Sequence, residues 1–249
     1  MKVRSVAILM AMLCGCSLWP AAAMAQQANR EKPAAIMEGY PAFDAPLVHF
    51  ALKRQRVAVE TWEKKWLETN EYEKFGLVVV VGDLVRAKME PNRYSAEDVK
   101  RVKEYLEQGG QLMLMRGTSQ IFSGPEGKAF LMEVTGYGPL QKEPTFAVLQ
   151  PDHAWLAKVD AKQDYAWLNT PGTVPLRTSK GEIIIGTSKG LATLYRVPVG
   201  KGALIYVGWD FSRWLPNGRE KSSVEAEQVF ESQMTVLLSL VANLYAKGQ

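Results

Sequence analysis

The sequence predicts an α/β domain: a mostly parallel, flavodoxin-like sheet flanked by helices, with a late antiparallel hairpin. Three observations carry this expectation. Leu77-Val78-Val79-Val80-Val81 is an unbroken apolar run ended by Gly82-Asp83, as befits a central parallel strand buried on both faces. A second apolar run, Leu112-Met113-Leu114-Met115, follows a stretch in which Val99, Val102 and Leu106 recur at helical spacing. Strand, helix and strand within about forty residues make a βαβ unit with a right-handed crossover. Finally, Gly200-Lys201-Gly202 joins two apolar runs, residues 192–197 and 203–207, as a short glycine turn joins a hairpin.

Taken in order, Ala34-Ala35-Ile36-Met37-Glu38-Gly39 is expected to be the first strand. Arg56-Val57-Ala58-Val59-Glu60-Thr61-Trp62 is the second, with His49 to Lys53 in the helix between them. The alternative at this point is a helix over residues 60–68 extending backwards. Ser95 with Asp98 gives the next helix a capping-box-like start, with Asp in the place of the usual Glu. Gly109-Gly110 ends it, where a left-handed cap favours glycine. In the second half, residues 145–149 and 182–185 read as strands before the hairpin. Ser222 with Glu225 then opens a last helix whose face is Ala226, Phe230, Met234, Leu237, Val241 and Leu244, a stripe regular enough for core packing. No repeat or second linker interrupts the chain, so residues 34–249 are expected to form one domain, with any sub-lobe starting near Pro139.

The beginning of the chain predicts export. Lys2 and Arg4 precede an apolar run over residues 6–19, then Pro20 and small residues ending Ala23-Met24-Ala25. That is the anatomy of a secretory signal, residues 1–25, cleaved before Gln26, with residues 26–33 a polar, flexible leader. Leu13-Cys14-Gly15-Cys16 loosely resembles a lipoprotein box, and lipidation at Cys16 is the alternative. The apolar run is shorter than the about 20 residues a membrane span needs, and no later run reaches that length. Cleavage after Ala25 removes both cysteines, leaving the mature chain no disulfide, thiolate metal site or cysteine nucleophile. A periplasmic or secreted location suits this composition. The formal charge falls from +4 to +2 on losing Lys2 and Arg4, a balance that excludes the footprint of a nucleic-acid binder.

The wording of several segments resembles class I glutamine-amidotransferase-like domains. Residues 72–82 are similar to the strand that ends in glycine in that family, and residues 95–115 to its helix, glycine pair and buried strand. Pro151-Asp152-His153 resembles the Asp-His-Pro turn of non-catalytic members, and residues 200–208 their late hairpin. The resemblance spans most of the chain from about Ala34, and these motifs are fold signatures. In active members a cysteine nucleophile sits in the turn after the strand that is here residues 112–115. The corresponding residues are about Gly117-Thr118-Ser119. The partner His and Glu follow the late strand, where this chain has Gly208-Trp209-Asp210-Phe211. Thiolate hydrolysis of glutamine needs a nucleophile and base within hydrogen-bond reach, and all three parts are missing. The resemblance implies an exported, catalytically silent domain that binds a partner protein or a small polar ligand, carbohydrate included, with no cofactor.

Ligands of open α/β sheets collect at the carboxyl ends of the strands. Glu38, Tyr40, Gly82, Asp83, Arg116, Thr118, Ser119 and Asp210 are expected there. Arg116 suits an anionic or hydroxyl-rich ligand, and Asp83 and Asp210 suit hydroxyls or an ion. The plainer reading has Asp83 capping a turn and Arg116 paired with a neighbouring carboxylate. Trp209 and Trp214 flank Asp210 and could stack on sugar rings, although large aromatic side chains are more often buried packing. Residues 214–219 mix apolar and basic side chains and leave a protein contact equally open. Trp62 and Trp66 are four apart, a spacing that on a helix means packing. The competing class is a hydrolase with a rearranged site around Asp83, Ser119 and His153. Against it, Ser119 lacks the glycine–x–serine–x–glycine elbow, and His153 suits a turn residue bonded to backbone. His49 and His153 alone give no metal-ligand spacing, and Asp152, Asp160 and Asp164 lack that of a calcium loop.

Overall fold

Every side chain of the Leu77–Val81 run is buried, as a strand covered on both faces requires. The computed structural model describes residues 31–38, 44–62, 66–69, 71–81, 93–136, 146–157, 159, 174–209, 211 and 224–245. Its first half runs β1 (Ala34–Glu38), α1 (Ala45–Arg54), β2 (Val59–Trp62), β3 (Leu77–Val81), α2 (Ala96–Glu107), β4 (Gln111–Met115) and α3 (Pro125–Thr135). Its second half runs β5 (Ala147–Val148), β6 (Leu176–Arg177), β7 (Glu182–Gly186), β8 (Leu191–Val199), β9 (Gly202–Val207) and α4 (Val224–Tyr245). Among the described residues these nine strands form one sheet, ordered β2-β1-β3-β4-β9-β8-β7-β5, with β6 beside β8.

The strands from β2 to β9 in that order pair parallel; those from β9 onward pair antiparallel. The late antiparallel part is therefore larger than a hairpin. β8 and β9 form the hairpin itself, and β7, β5 and β6 extend it into a wing. Strand β2 begins only at Val59, and Glu60 to Trp62 pair with β1, so a helix over residues 60–68 does not form. Trp62 and Trp66 do share a packed cluster, but from a strand and a short 3-10 turn, Trp66–Glu68. The Trp66 indole donates to the Tyr94 hydroxyl at 2.9 Å.

Alternation along the parallel strands sends successive side chains to opposite faces. Val79, Val81, Met113, Ile205 and Val207 pack with α1 and α4, including Val48, Leu52, Leu237 and Val241. Val78, Val80, Leu112, Leu114 and Leu204 pack with α2 and α3, including Val102, Leu106 and Phe130. Each fully buried Val or Leu contributes about 1.5–3 kcal/mol relative to exposure, so apolar burial outweighs any single polar contact in the domain. On α4 the expected stripe is buried at Ala226, Met234, Leu237, Val241 and Leu244, with Phe230 half-buried; Ser222 lies outside the described residues. The capping box of α2 closes with Asp98: its carboxylate accepts from the Ser95 N–H at 2.8 Å, and the Ser95 hydroxyl accepts from the Asp98 N–H at 3.2 Å.

The β8–β9 turn is locked under the end of α2. Lys201 N–H donates to the Glu107 carbonyl and Ala203 N–H to that of Gly110, both at 3.3 Å. A Cβ on Gly202 would overlap the carbonyl oxygens of Gly110 and Leu106. Those atoms are backbone and cannot swing aside, so Gly202→Ala is expected to destabilise the fold by about 2–3 kcal/mol, measured as a lower urea midpoint. The buried phenols predict a pH limit. Burial raises the pKa of Tyr94, Tyr105 and Tyr206, and pushes that of Tyr195 up to about 12 against the opposing Thr178 hydroxyl. A raised folded pKa favours folding below the unfolded value of about 10 and is lost as pH climbs past it. Unfolding midpoints should hold to about pH 10 and fall between there and pH 12. Tyrosinate absorbance that rises fully at pH 10 while the chain stays folded would refute this burial.

Candidate functional site

Strand β4 passes without a break into a 3-10 segment, Arg116–Phe122. Its first residue, Arg116, has φ 52°, the left-handed region that costs an L-residue with a Cβ about 1–2 kcal/mol. Such strain persists only where surroundings hold it, and it gathers at functional sites. β4 is an inner strand between β3 and β9, so Arg116 stands at the middle of the sheet's carboxyl edge, half-buried. The Tyr206 phenol on β9 is close enough to register its charge: burial raises that pKa and Arg116 works the other way. Tyr206 itself is held by donating to the Val174 carbonyl at 2.7 Å.

The neighbouring residues divide between anchoring and access. Thr118 is fully buried, and its hydroxyl donates to the Val80 carbonyl at 3.4 Å, tying the turn to the end of β3. Its described role is that of an anchor, with the hydroxyl engaged inside the fold. Ser119 is half-buried. Trp209 is also fully buried, edge-on to Phe211 with ring centroids 5.9 Å apart. The buried-packing reading holds for it, and it offers no open face to a sugar ring. Glu38 closes β1 in register with Val81. Asp83 and Asp210, like Tyr40, Gly82 and Trp214, lie outside the described residues.

His153 lies elsewhere. Its Nδ1 accepts the Trp155 backbone N–H at 3.2 Å, the turn-residue role, and its Nε2 is 3.5 Å from a Glu182 carboxylate oxygen. It lines a cavity with Gln111, Gly202 and Ala203, which begin β4 and β9. Ser119 comes after the other end of β4. A five-residue strand spans roughly 17 Å, whereas direct base activation needs about 3 Å. The structure thus places Ser119 and His153 at opposite ends of β4, too far apart for direct base activation in this state. Among the described residues no group of three or more His, Cys, Asp or Glu side chains is placed to hold a metal ion.

The architecture is similar to part of a β-galactosidase from Bacillus circulans sp. alkalophilus, with 16% identity and a TM-score of 0.50. The match covers 86% of this chain and 30% of that one, so this chain spans under a third of the enzyme's length. The likeness is one of fold. Two further solved structures align more loosely, each with a TM-score of 0.45: a cytoplasmic protein from Salmonella typhimurium and a putative ThuA-like protein from Bacteroides uniformis. The first is 15% identical, covering 82% of this chain and 97% of its own; the second is 9% identical, covering 84% and 91%. No protein-family model matches the chain, and no curated protein matches it.

The order of the strands made Arg116 legible as an edge residue, but its left-handed backbone has no signal in the sequence, since the next residue, Gly117, is the one built for that region. The strain gives a prediction separate from ligand. Arg116→Gly should be more stable than Arg116→Ala by about 1 kcal/mol, because alanine keeps the Cβ clash and glycine removes it. Paired urea titrations measure the difference; an alanine variant equal to or above the glycine variant would show that residue 116 is not left-handed.

Proposed function

We propose that this chain is an exported, catalytically silent, amidotransferase-like domain that binds a small polar ligand at the carboxyl edge of its sheet. The observation that supports it best is the identity of the residue at the exit of β4. In active members of the family this chain resembles, the turn there presents a thiolate; here it opens on Arg116, strained and half-buried beside β9. A guanidinium is a fixed fork of donors that stays protonated at any physiological pH. It can neither attack a carbonyl nor accept a proton, so it suits holding anionic or hydroxyl-rich groups. Ser119 stands in the same turn as a second hydrogen-bonding group. With Trp209 buried, recognition rests on hydrogen bonds and charge instead of stacking on that indole.

Export rests on the signal anatomy of residues 1–25. No helix among the described residues is long and apolar enough to cross a membrane.

The test has two arms on protein purified after processing. Calorimetry against a panel of polyols, sugars and carboxylates should find a ligand whose affinity falls at least tenfold in Arg116→Gly, with the far-ultraviolet spectrum unchanged. Incubation with glutamine should release no ammonia. Ammonia release abolished by a single substitution at Thr118 or Ser119 would overturn the silent reading, and equal affinity in Arg116→Gly would overturn the site.

A further inference from the structure

The opposite, amino edge of the sheet holds a cavity of about 420 Å³, within the roughly 300–1,000 Å³ of small-molecule pockets. Its polar lining comes from four directions: Gln111 from the start of β4, Arg196 from β8, Lys201 from the hairpin turn, and Asn243 from α4. His153 and Trp155 close it from the 3-10 turn Ala154–Leu156 and the residue before it. Its size admits a hexose-like molecule and leaves little room for a polymer.

Three of these polar groups meet in the cavity with no protein partner. Among the described residues neither the Arg196 guanidinium nor the Lys201 ammonium forms an ion pair or side-chain hydrogen bond, and the Gln111 side-chain amide bonds nothing. The backbone of Gln111, by contrast, is held at both ends by the Tyr105 hydroxyl, at 3.1 and 3.2 Å. Asn243 spends its amide N–H on the Ser239 carbonyl at 2.8 Å, which leaves its oxygen to accept. Arg196 is half-buried and Lys201 is exposed in the turn. Two acids are near. Glu182 pairs across the strands with Arg196 and keeps its carboxylate 3.5 Å from His153, and Glu107 meets the turn through its backbone carbonyl.

Two forces oppose each other here. Helices α2 and α4 end at this edge, and the partial negative charge of a helix C-terminus disfavours an anion. Full charges on Arg196 and Lys201 exceed those partial charges, and hydrogen bonds to an ionised group are the stronger kind. The cations prevail. The walls are also set in advance: Trp155 is buried against α4, and Gly202 and Ala203 are nested under α2.

We infer that this cavity is a second binding site, for a small hydroxylated anion such as a sugar acid or sugar phosphate. The anionic group lies against Arg196 and Lys201, hydroxyls reach Gln111 and Asn243, and the apolar side of the molecule rests on Trp155 and Leu244. This site is independent of the one around Arg116, which lies beyond the other end of β4.

Calorimetry on the processed protein tests it with three probes: glucuronate, glucose 6-phosphate and glucose. At least one anion should bind ten times or more tighter than glucose, and the tighter of the two tells whether a carboxylate or a phosphate is preferred. Affinity should fall at least tenfold in Arg196→Gln and in Lys201→Gln, and should not change in Arg116→Gly. Lys201 is exposed in a turn, so its variant keeps the test valid if Arg196→Gln fails to fold. Absence of binding by both anions at millimolar concentration, glucose binding as tightly as either, or affinity that survives Lys201→Gln would each overturn the site.

Discussion

The pairing of β9 with β4 is the contact on which the rest of the molecule depends. β9 is the last of the described strands in sequence, yet it lies parallel beside β4 in the interior of the sheet, from Gln111↔Ala203 to Met115↔Val207. That placement joins a parallel half, built by local βαβ steps, to an antiparallel wing built by hairpins. Both edges of the molecule inherit it. At one end β4 and β9 release Arg116 and Gly208; at the other they begin with Gln111 and Gly202, which line the cavity. The contact is long-range in sequence and so expensive in chain entropy to form. Its register is fixed less by the strands, whose apolar side chains are alike, than by the hairpin turn. Gly202 fits under α2 only at one position, with Ala203 N–H bound to the Gly110 carbonyl. A slip of one residue would also exchange every side chain between the two cores.

Those cores are asymmetric in a way that matters for ligand access. The core under α1 and α4 is mostly aliphatic and carries Trp209 and Phe211 at its carboxyl end, so that end is filled. The core under α2 and α3 contains Tyr94, Tyr105, Tyr195 and Tyr206, each of which must place a hydroxyl. Tyr105 and Tyr206 spend theirs at opposite edges, on Gln111 and Val174. Buried phenols thereby support the first residues of β4 at one edge and the surroundings of Arg116 at the other.

Much of this was legible in the residues. The central strands, the α2 capping box and the α4 stripe each follow from a local pattern with one physical meaning: a β-branched run, a Ser–Asp spacing, an apolar period. What the pattern missed is of a different kind. In the wing, β5 and β7 fall on the expected strands at 145–149 and 182–185, but β6, two residues long, has no period to detect. For Trp209 the residues leave sugar stacking and buried packing both open, and contact with Phe211 decides for packing. Thr118, expected at the carboxyl edge because it follows a strand, has its hydroxyl on the Val80 carbonyl. The cavity was invisible because its polar groups are scattered from residue 111 to residue 243 and meet only through the β4–β9 pairing.

The two ends of this sheet face different electrostatic problems, and the residues at each fit that difference. Helices of a βαβ sheet begin near the carboxyl edge, where their N-terminal dipoles already favour negative charge. At that edge the proposed site calls for a single guanidinium, and Arg116 is the residue present. The amino edge has the reverse field, so partial charges alone would repel an anion. Holding one at that edge takes full charges, more than one of them, kept out of internal ion pairs. Arg196 and Lys201 meet that requirement, while the nearest acid, Glu182, faces the His153 imidazole. Among the described residues Arg196 stays out of an ion pair with the cross-strand Glu182, and the proposed anion would supply that partner.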